Sequence, residues 1–336
     1  MEGGRKVVAG DAHPPALGRS SGGTLGDYLA LARFDHITKH VFIVPGVVLA
    51  YALRHPTLDG IVVSLLAGFL SAVLIASANY VINEWLDRQS DVFHPEKSKR
   101  TALRVQLSPY IVYAEYVVLA AAGLVLAHQV GFLFTLAAIV FILSGIVYNV
   151  RPVRSKDVAY LDVLSESINN PIRLVLGWTM IDHATLPPSS LLLAYWMGGG
   201  FLMAAKRLSE YREIASGPGV EVLHRYRRSF VSYTAESLTV SCFLYAILSA
   251  FFIAVFLIKY RIEYVLAFPF IAMTFAIYLR LSMRPHSVAQ KPEKLFHSRP
   301  LVAAVTLTVA VLLLTTFVNL PILNSLSAPF FVTFPG

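Results

Sequence analysis

The stretch GIVVSLLAGFLSAVLIASANYVINEWLDRQSD, Gly60 to Asp91, decides how the chain is read. From Gly60 to Ile82 it holds no charged residue. About 20 mostly apolar residues in a helix cross the ~30 Å hydrocarbon layer of a bilayer. Then, without a break, come Asn83, Glu84, Asp87, Arg88 and Asp91. An apolar span that runs into a series of carboxylates sets acids at the mouth of a membrane, where ionisable groups are costly and mark function.

Outward from this stretch the same pattern recurs. Nine segments qualify as spans: Ile37–Leu53, Gly60–Ile82, Pro109–Ala127, Gly131–Val150, Tyr160–Met180, Ser190–Ala205, Ala235–Ile258, Tyr264–Leu281 and Leu301–Leu320. The composition agrees. Of 336 residues, 56% are hydrophobic and 14% charged, against about 25% charged in soluble domains. A soluble enzyme, a disordered chain and a secreted disulfide scaffold are excluded. Cys242 is the sole cysteine, so neither an intrachain disulfide nor a Cys-based metal site is possible. The expected fold is an all-α polytopic membrane protein with nine transmembrane helices.

Charge orients the spans, because Lys and Arg collect on the cytoplasmic side. With the N-terminus inside, nearly all of the 28 Lys and Arg fall in five inner segments. Arg54, Lys259 and Arg261 are left outside, and Arg173 sits within a span. The net charge of +8 therefore points to a membrane surface and anionic substrates rather than nucleic acid. Residues 1–30 read as a disordered cytosolic tail. No apolar stretch follows Arg5-Lys6, so a signal peptide is not expected. Residues 31–336 read as one membrane domain, and the chain after Pro321 as an interfacial tail.

Three polar clusters map to the inner face. In the first, Asn83, Asp87 and Asp91 stand at i, i+4 and i+8 and share one helix face, with Glu84 at its edge. Carboxylates this close repel unless a cation lies between them, and all-oxygen ligands suit a hard ion such as Mg²⁺ that bridges to phosphates. Lys97 and Arg100 follow as phosphate ligands. In the second, Arg154 and Lys156 precede a stripe of Asp162, Glu166, Asn169 and Arg173 at i, i+4, i+7 and i+11. Lipid cannot satisfy such groups, so they face the bundle interior or a wet cavity. The third is Lys206-Arg207-x-x-Glu210 at the end of the sixth span. The run Arg225-Tyr226-Arg227-Arg228 reads as a surface anchor. His36 and His40 lack a third zinc ligand, and Gly198-Gly199-Gly200 reads as a site of close helix packing.

Asn83-Glu84-x-x-Asp87-x-x-x-Asp91 followed by His94-Pro95-x-Lys97-x-x-Arg100 resembles the first acidic motif of the UbiA superfamily. Its members are nine-helix intramembrane transferases with a cytoplasmic active site. The family motif has Asp where this chain has Glu84. Tyr160-Leu161-Asp162, Arg173, Gly177 and Lys206-Arg207-x-x-Glu210 are similar to the branch that contains decaprenyl-phosphate phosphoribosyltransferase. Many relatives have a second acidic pair where this chain has Lys206-Arg207-x-x-Glu210. Tyr148-x3-Pro152-x-Arg154-x-Lys156 is instead similar to a loop of chlorophyll-synthase-like prenyltransferases.

The resemblance implies a Mg²⁺-dependent transfer of phosphoribosyl from phosphoribosyl diphosphate to a polyprenyl phosphate. It implies Asn83, Glu84, Asp87 and Asp91 as metal ligands, and Asp87, Asp91, Asp162 and Glu210 as catalytic or orienting acids. Lys97, Arg100, Tyr148, Arg154, Lys156, Asn169, Arg173, Lys206 and Arg207 are the implied substrate-binding residues. The active site is expected on the cytoplasmic side of a bacterial inner membrane. One alternative keeps the scaffold and moves a polyprenyl group from its diphosphate to an aromatic acceptor resembling 4-hydroxybenzoate, with Tyr148 and Trp85 shielding a carbocation. A third reading is a transporter with the Asp162–Arg173 stripe along its pathway.

Overall fold

A computed structural model describes residues 22–54, 56, 59–284, 287 and 298–327. The tail before residue 22, Lys291 and Lys294 of the last basic loop, and Pro329 and Pro335 lie outside the described residues. Among the described residues all regular structure is helical. Helix α1 (Leu25–Leu31) leads through a 3-10 helix (Phe34–Ile43) to α2 (Val44–Arg54) and α3 (Ile61–Asp91). Then follow α4 (Thr101–Arg104), α5 (Pro109–Val130), α6 (Phe132–Asn149), α7 (Leu161–Ser167), α8 (Asn169–Thr179) and α9 (Ser189–Ser216). The chain ends through α10 (Val220–Tyr226), α11 (Ala235–Tyr260), α12 (Phe268–Ser282), α13 (Arg299–Phe317) and α14 (Pro321–Ser327).

Local chemistry sets these boundaries. Proline stands in the first turn of α5, α12 and α13, where its missing N–H costs nothing. Gly131, at φ 149°, separates α5 from α6. Thr24 and Thr234 cap α1 and α11. The first of these caps moves the expected end of the tail. Thr24 and Asp27 form a reciprocal capping box, and Tyr28 and Leu31 bury themselves beside Val81 and Trp85. Ordered structure thus begins by Thr24, ahead of residue 30.

Among the described residues six helical stretches are long and apolar enough to cross a membrane: α3, α5, α6, α11, α12 with the 3-10 turn before it, and α13. Each coincides with an expected span. The other three expected spans are also helical but are shorter, broken or more polar. The first is split between the 3-10 helix and α2 of 11 residues. The fifth breaks at Ile168 between α7 and α8, so its polar stripe is not one continuous helix. The sixth, α9, runs 28 residues and continues into the charged segment beyond Ala205. The polar ends of α3, α6 and α9, together with α7 and α8, meet around one cavity.

Close packing holds α8 at the centre. It lies against α2, α6, α9 and the 3-10 helix. A Cβ on Gly46 of α2 would come 2.2 Å from the Leu174 carbonyl, and one on Gly177 of α8 would come 2.1 Å from the Ile43 carbonyl. Backbone meets backbone at this crossing, so no side chain can give way. Gly199 of α9 makes a similar approach to Asn170, in line with the packing expected of the glycine triplet. Gly177→Ala is expected to destabilise the protein by about 3 kcal/mol, read as a lowered melting temperature in detergent. Gly26→Ala, whose Cβ meets only Thr24 Oγ1 at 3.7 Å, is expected to leave it unchanged.

Candidate active site

The α3 face carries the first cluster as the spacing requires. Asn83 and Asp87 line a cavity of about 300 Å³. Asn83 Nδ2 donates to Asn149 Oδ1 at 2.6 Å. Asp87 Oδ1 accepts from Lys156 Nζ and, at 3.0 Å, from Arg154 Nη2. One turn on, Asp91 is buried and accepts from Arg100. Glu84 points elsewhere. It is 3% exposed, accepts from Arg33 Nε at 3.0 Å and from the Ala102 N–H at 3.3 Å, and does not line the cavity. The structure therefore brings Asn83 and Asp87 to the cavity and separates them from Glu84, held by Arg33, and from Asp91, held by Arg100.

Among the described residues no three His, Cys, Asp or Glu form a ready metal cage. The oxygen donors still fit Mg²⁺, which takes one or two protein carboxylates and completes its shell with water and substrate phosphate. Asn83 and Asp87 face the cavity with such oxygens, and the cations now on Asp87 are long side chains that can turn to phosphate.

The loop after α3 is folded by His94. Its Nδ1 accepts from the N–H groups of Glu96 at 3.1 Å and Lys97 at 3.2 Å, while its ring meets Tyr226 edge-on at 4.6 Å. Burial pushes His94 down to about 4, so it stays a neutral acceptor. This turn brings Lys97 back over the cavity, where Nζ donates to Tyr226 Oη and lies 3.7 Å from Glu210. Burial also pushes the Lys97 ammonium down to about 7 and that of Lys156 to about 8, against the pull of Glu210 and Asp87 respectively.

Arg207 ties the remaining elements together. It is 1% exposed. Nε donates to Asp162 and Nη1 to Glu210, both at 3.1 Å, and Nη2 to Glu166. Asp162 is fully buried behind the cavity and also accepts from Ser229 Oγ at 3.1 Å and Tyr233 Oη at 2.6 Å. Its geometry is that of a positioning residue for Arg207, out of reach of a bound substrate. Glu166, Asn169 and Arg173 do line the cavity, with Lys206 3.8 Å from Glu166 and Ser144 Oγ donating to Asn169 at 2.9 Å. Tyr148 Oη donates to Glu166 at 2.8 Å and accepts from Arg227.

Several cavity residues escaped the sequence reading: Arg227, Lys39, Tyr80 and Asn79. The Arg225–Arg228 run is no plain surface anchor. It sits where α10 passes into a 3-10 turn, so Tyr226 and Arg227 point inward while Arg225 and Arg228 stay exposed. Such a turn has no periodicity to read. Arg173 is distinctive. It is 8% exposed, stacks over Phe141 at 5.1 Å, has no partner for Nε, and makes no ion pair among the described residues.

A buried ion pair broken on one side leaves the other charge stranded, at about 3–5 kcal/mol. Arg207→Met is expected to lose that much stability, since Asp162, Glu166 and Glu210 would then face one another. Arg207→Lys is expected to restore little, because one ammonium cannot span their positions. Thermal unfolding of the purified protein measures both.

Comparison with known proteins follows from this geometry. Residues 41–300 match the UbiA prenyltransferase family. A protoheme IX farnesyltransferase of Alkalihalophilus pseudofirmus is 24% identical over 227 residues, 65% of this chain and 72% of that one. A UbiA homologue of Archaeoglobus fulgidus, solved with DMAPP and Mg²⁺, superposes with a TM-score of 0.64 at 19% identity over 86% of this chain and 98% of that one. A digeranylgeranylglyceryl phosphate synthase structure gives 0.57 at 14% identity, over 87% and 96%. These structures share the fold. The chain is a transferase that belongs to the UbiA prenyltransferase family.

Proposed function

We propose that this transferase moves a phosphoribosyl group from phosphoribosyl diphosphate to a polyprenyl phosphate. The site would be Mg²⁺-dependent and lie on the cytoplasmic side of a bacterial inner membrane, in a bundle of nine crossings with the N-terminus inside. Family membership sets the transporter reading aside.

The observation that carries the proposal is the unpaired Arg173. An apolar groove of about 450 Å³, lined by Phe42, Leu202, Met203 and Leu301, meets the polar cavity at Lys39, Tyr80, Asn169, Arg173, Lys206 and Glu166, the last engaged by Arg207. A buried guanidinium without a carboxylate costs several kcal/mol and calls for an anion brought by a ligand. A lipid whose tail fills the groove sets its phosphate at that junction. A second anion position lies beside Asn83 and Asp87, with Lys97 and Arg100 lining the cavity and Arg154 and Lys156 reaching Asp87 from the vestibule beyond it. Two anion positions in one cavity support two phosphorylated substrates.

In the proposed reaction the C1–O bond of the donor breaks and its electron pair leaves on the diphosphate. An oxygen of the lipid phosphate supplies the pair for the new C1–O bond. That oxygen is already anionic, so no base is needed. Lys97, Arg100, Arg154 and Lys156 draw charge onto the departing diphosphate. Arg173 and Lys206 aim the acceptor phosphate, and Asp162 and Glu210 hold Arg207 in place. Bound Mg²⁺, held by Asn83 and Asp87, would supply further charge neutralisation on the diphosphate.

Prenyl transfer to an aromatic acceptor is the second reading. The Mg²⁺ complexes of the A. fulgidus homologue with DMAPP and with GPP favour it. The aromatic residues speak against it. The Tyr148 ring already faces Lys156 at 5.6 Å and Arg227 at 5.9 Å. Trp85 lies outside the cavity under Arg88 at 3.8 Å. Neither is free to shield a carbocation.

The test offers purified protein in lipid nanodiscs with Mg²⁺ two pairs: labelled phosphoribosyl diphosphate with polyprenyl phosphate, and polyprenyl diphosphate with 4-hydroxybenzoate. Label is expected in the lipid phase of the first only; product in the second alone sinks the proposal. Arg173→Gln is expected to raise KM for polyprenyl phosphate about tenfold or more while KM for phosphoribosyl diphosphate holds.

The pH dependence follows from Lys97. Its ammonium is charged below about 7 and attracts the anionic donor only in that form. The ratio kcat/KM is therefore expected to fall as pH rises through neutrality. In Lys97→Arg, charged throughout, that fall is expected to move to higher pH. A pH–rate profile showing the same fall in both proteins assigns it to another group.

A further inference from the structure

Behind Asp87, on the side away from the apolar groove, lies a second and more open cavity of about 620 Å³. Its walls carry Arg88, Arg151, Arg154, Arg225, Arg227 and Arg228, with Lys156 beside them. Against these stand two carboxylates, Asp87 and Asp157, and both are engaged: Asp87 with Lys156 and Arg154, Asp157 with Arg154 at 3.1 Å. The vestibule is therefore strongly positive. Arg151, Arg225 and Arg228 are exposed at its rim and make no ion pair among the described residues. Three separate segments, the end of α3, the loop after α6 and the turn after α10, aim their arginines at one space.

The wall between the two cavities is thin. Asp87, Asn149, Tyr226 and Arg227 line both. An anion beside Asp87 in the inner cavity meets Arg227, which also lines the outer one, where Arg154 and Lys156 stand next to it. A cleft of one sign with low-dielectric walls focuses the field and raises the local concentration of its counter-ion.

We propose that this vestibule is the port for water-soluble diphosphate: inorganic diphosphate leaves through it, and a soluble diphosphate donor arrives through it, while the lipid uses the apolar groove. The inference rests on the proposed function only for the arriving donor. Release of diphosphate is common to phosphoribosyl and prenyl transfer. The same guanidiniums suit a phosphate on a lipid headgroup, and the test separates the two sources.

The test compares wild type with the triple variant Arg151→Gln, Arg225→Gln, Arg228→Gln. These rim side chains are exposed, and an unchanged melting temperature confirms the fold. Calorimetric titration with inorganic diphosphate and Mg²⁺ in neutral detergent is expected to show affinity about tenfold weaker in the variant. The salt dependence is expected to be shallower as well. Product inhibition by diphosphate, measured with whichever substrate pair is active, is expected to weaken in parallel while KM for the lipid substrate stays constant. Unchanged diphosphate affinity and inhibition in the variant overturn the port. So does a difference that arises only in nanodiscs containing phosphatidylglycerol, which assigns the vestibule to a lipid headgroup. Failure of the phosphoribosyl pairing with diphosphate release still rim-dependent removes the donor's arrival and leaves the exit standing.

Discussion

A guanidinium sealed inside a helix bundle has to be answered by carboxylates, and Arg207 is answered three times. Asp162 and Glu166 come from α7 and Glu210 from one turn along α9, with Tyr148 of α6 3.5 Å away. Through Ser229 and Tyr233, Asp162 carries the connection into the segment between α10 and α11. These groups are desolvated, so each contact is strong if satisfied and costly if lost. The break between α7 and α8 makes sense in this light. A continuous helix would keep Asp162 and Arg173 on one stripe. The break lets Asp162 turn to Arg207 while Asn169 and Arg173 face the cavity.

Once Arg207 has absorbed the carboxylates of the third cluster, the cations around the cavity are left in excess. Lys97, Lys206, Arg173 and Arg227 remain, with few acids to match them. A bundle that buries so much positive charge is incomplete until an anion arrives. This is also where the chain departs from relatives with a second acidic pair. Lys206 and Arg207 occupy that position, and the cavity's Glu166 and Glu210 are engaged by Arg207. This arrangement suits one metal-bridged diphosphate and one phosphate held directly by side chains.

The membrane-protein class and the α3 acids were legible because each depends on a period. Apolar length reports a span, and the i, i+4, i+8 spacing of Asn83, Asp87 and Asp91 reports a helix face. Glu84 shows where a motif misleads: one residue from Asn83, it is turned about 100° round the helix and captured by Arg33. Asp162 and Glu166 keep their shared face of α7 and both reach Arg207, while the break at Ile168 separates that face from Asn169 and Arg173 on α8. Arg227 was hidden because its inward direction comes from a turn. The helix at Leu25–Leu31 was missed because its signal is a Thr24–Asp27 capping box in a polar segment, with just two apolar anchors.

Asp87 stands at the meeting point of two solvents. On one side the cavity continues into an apolar groove that accepts a hydrocarbon tail. On the other the basic vestibule is open to water. A transferase joining a lipid to a soluble ion needs both routes, and each must exclude the other's cargo. Apolar walls reject a diphosphate because desolvating its charge costs far more than a groove returns. Exposed arginines reject a hydrocarbon because it gains nothing there over water. In the proposed reaction the reacting atoms meet in the polar cavity between the two routes, which shares Asp87, Asn149, Tyr226 and Arg227 with the vestibule and Lys39, Asn169, Arg173 and Lys206 with the groove. Of the α3 acids, Asp87 alone lines both the polar cavity and the vestibule, and that position is what the proposed reaction asks of it.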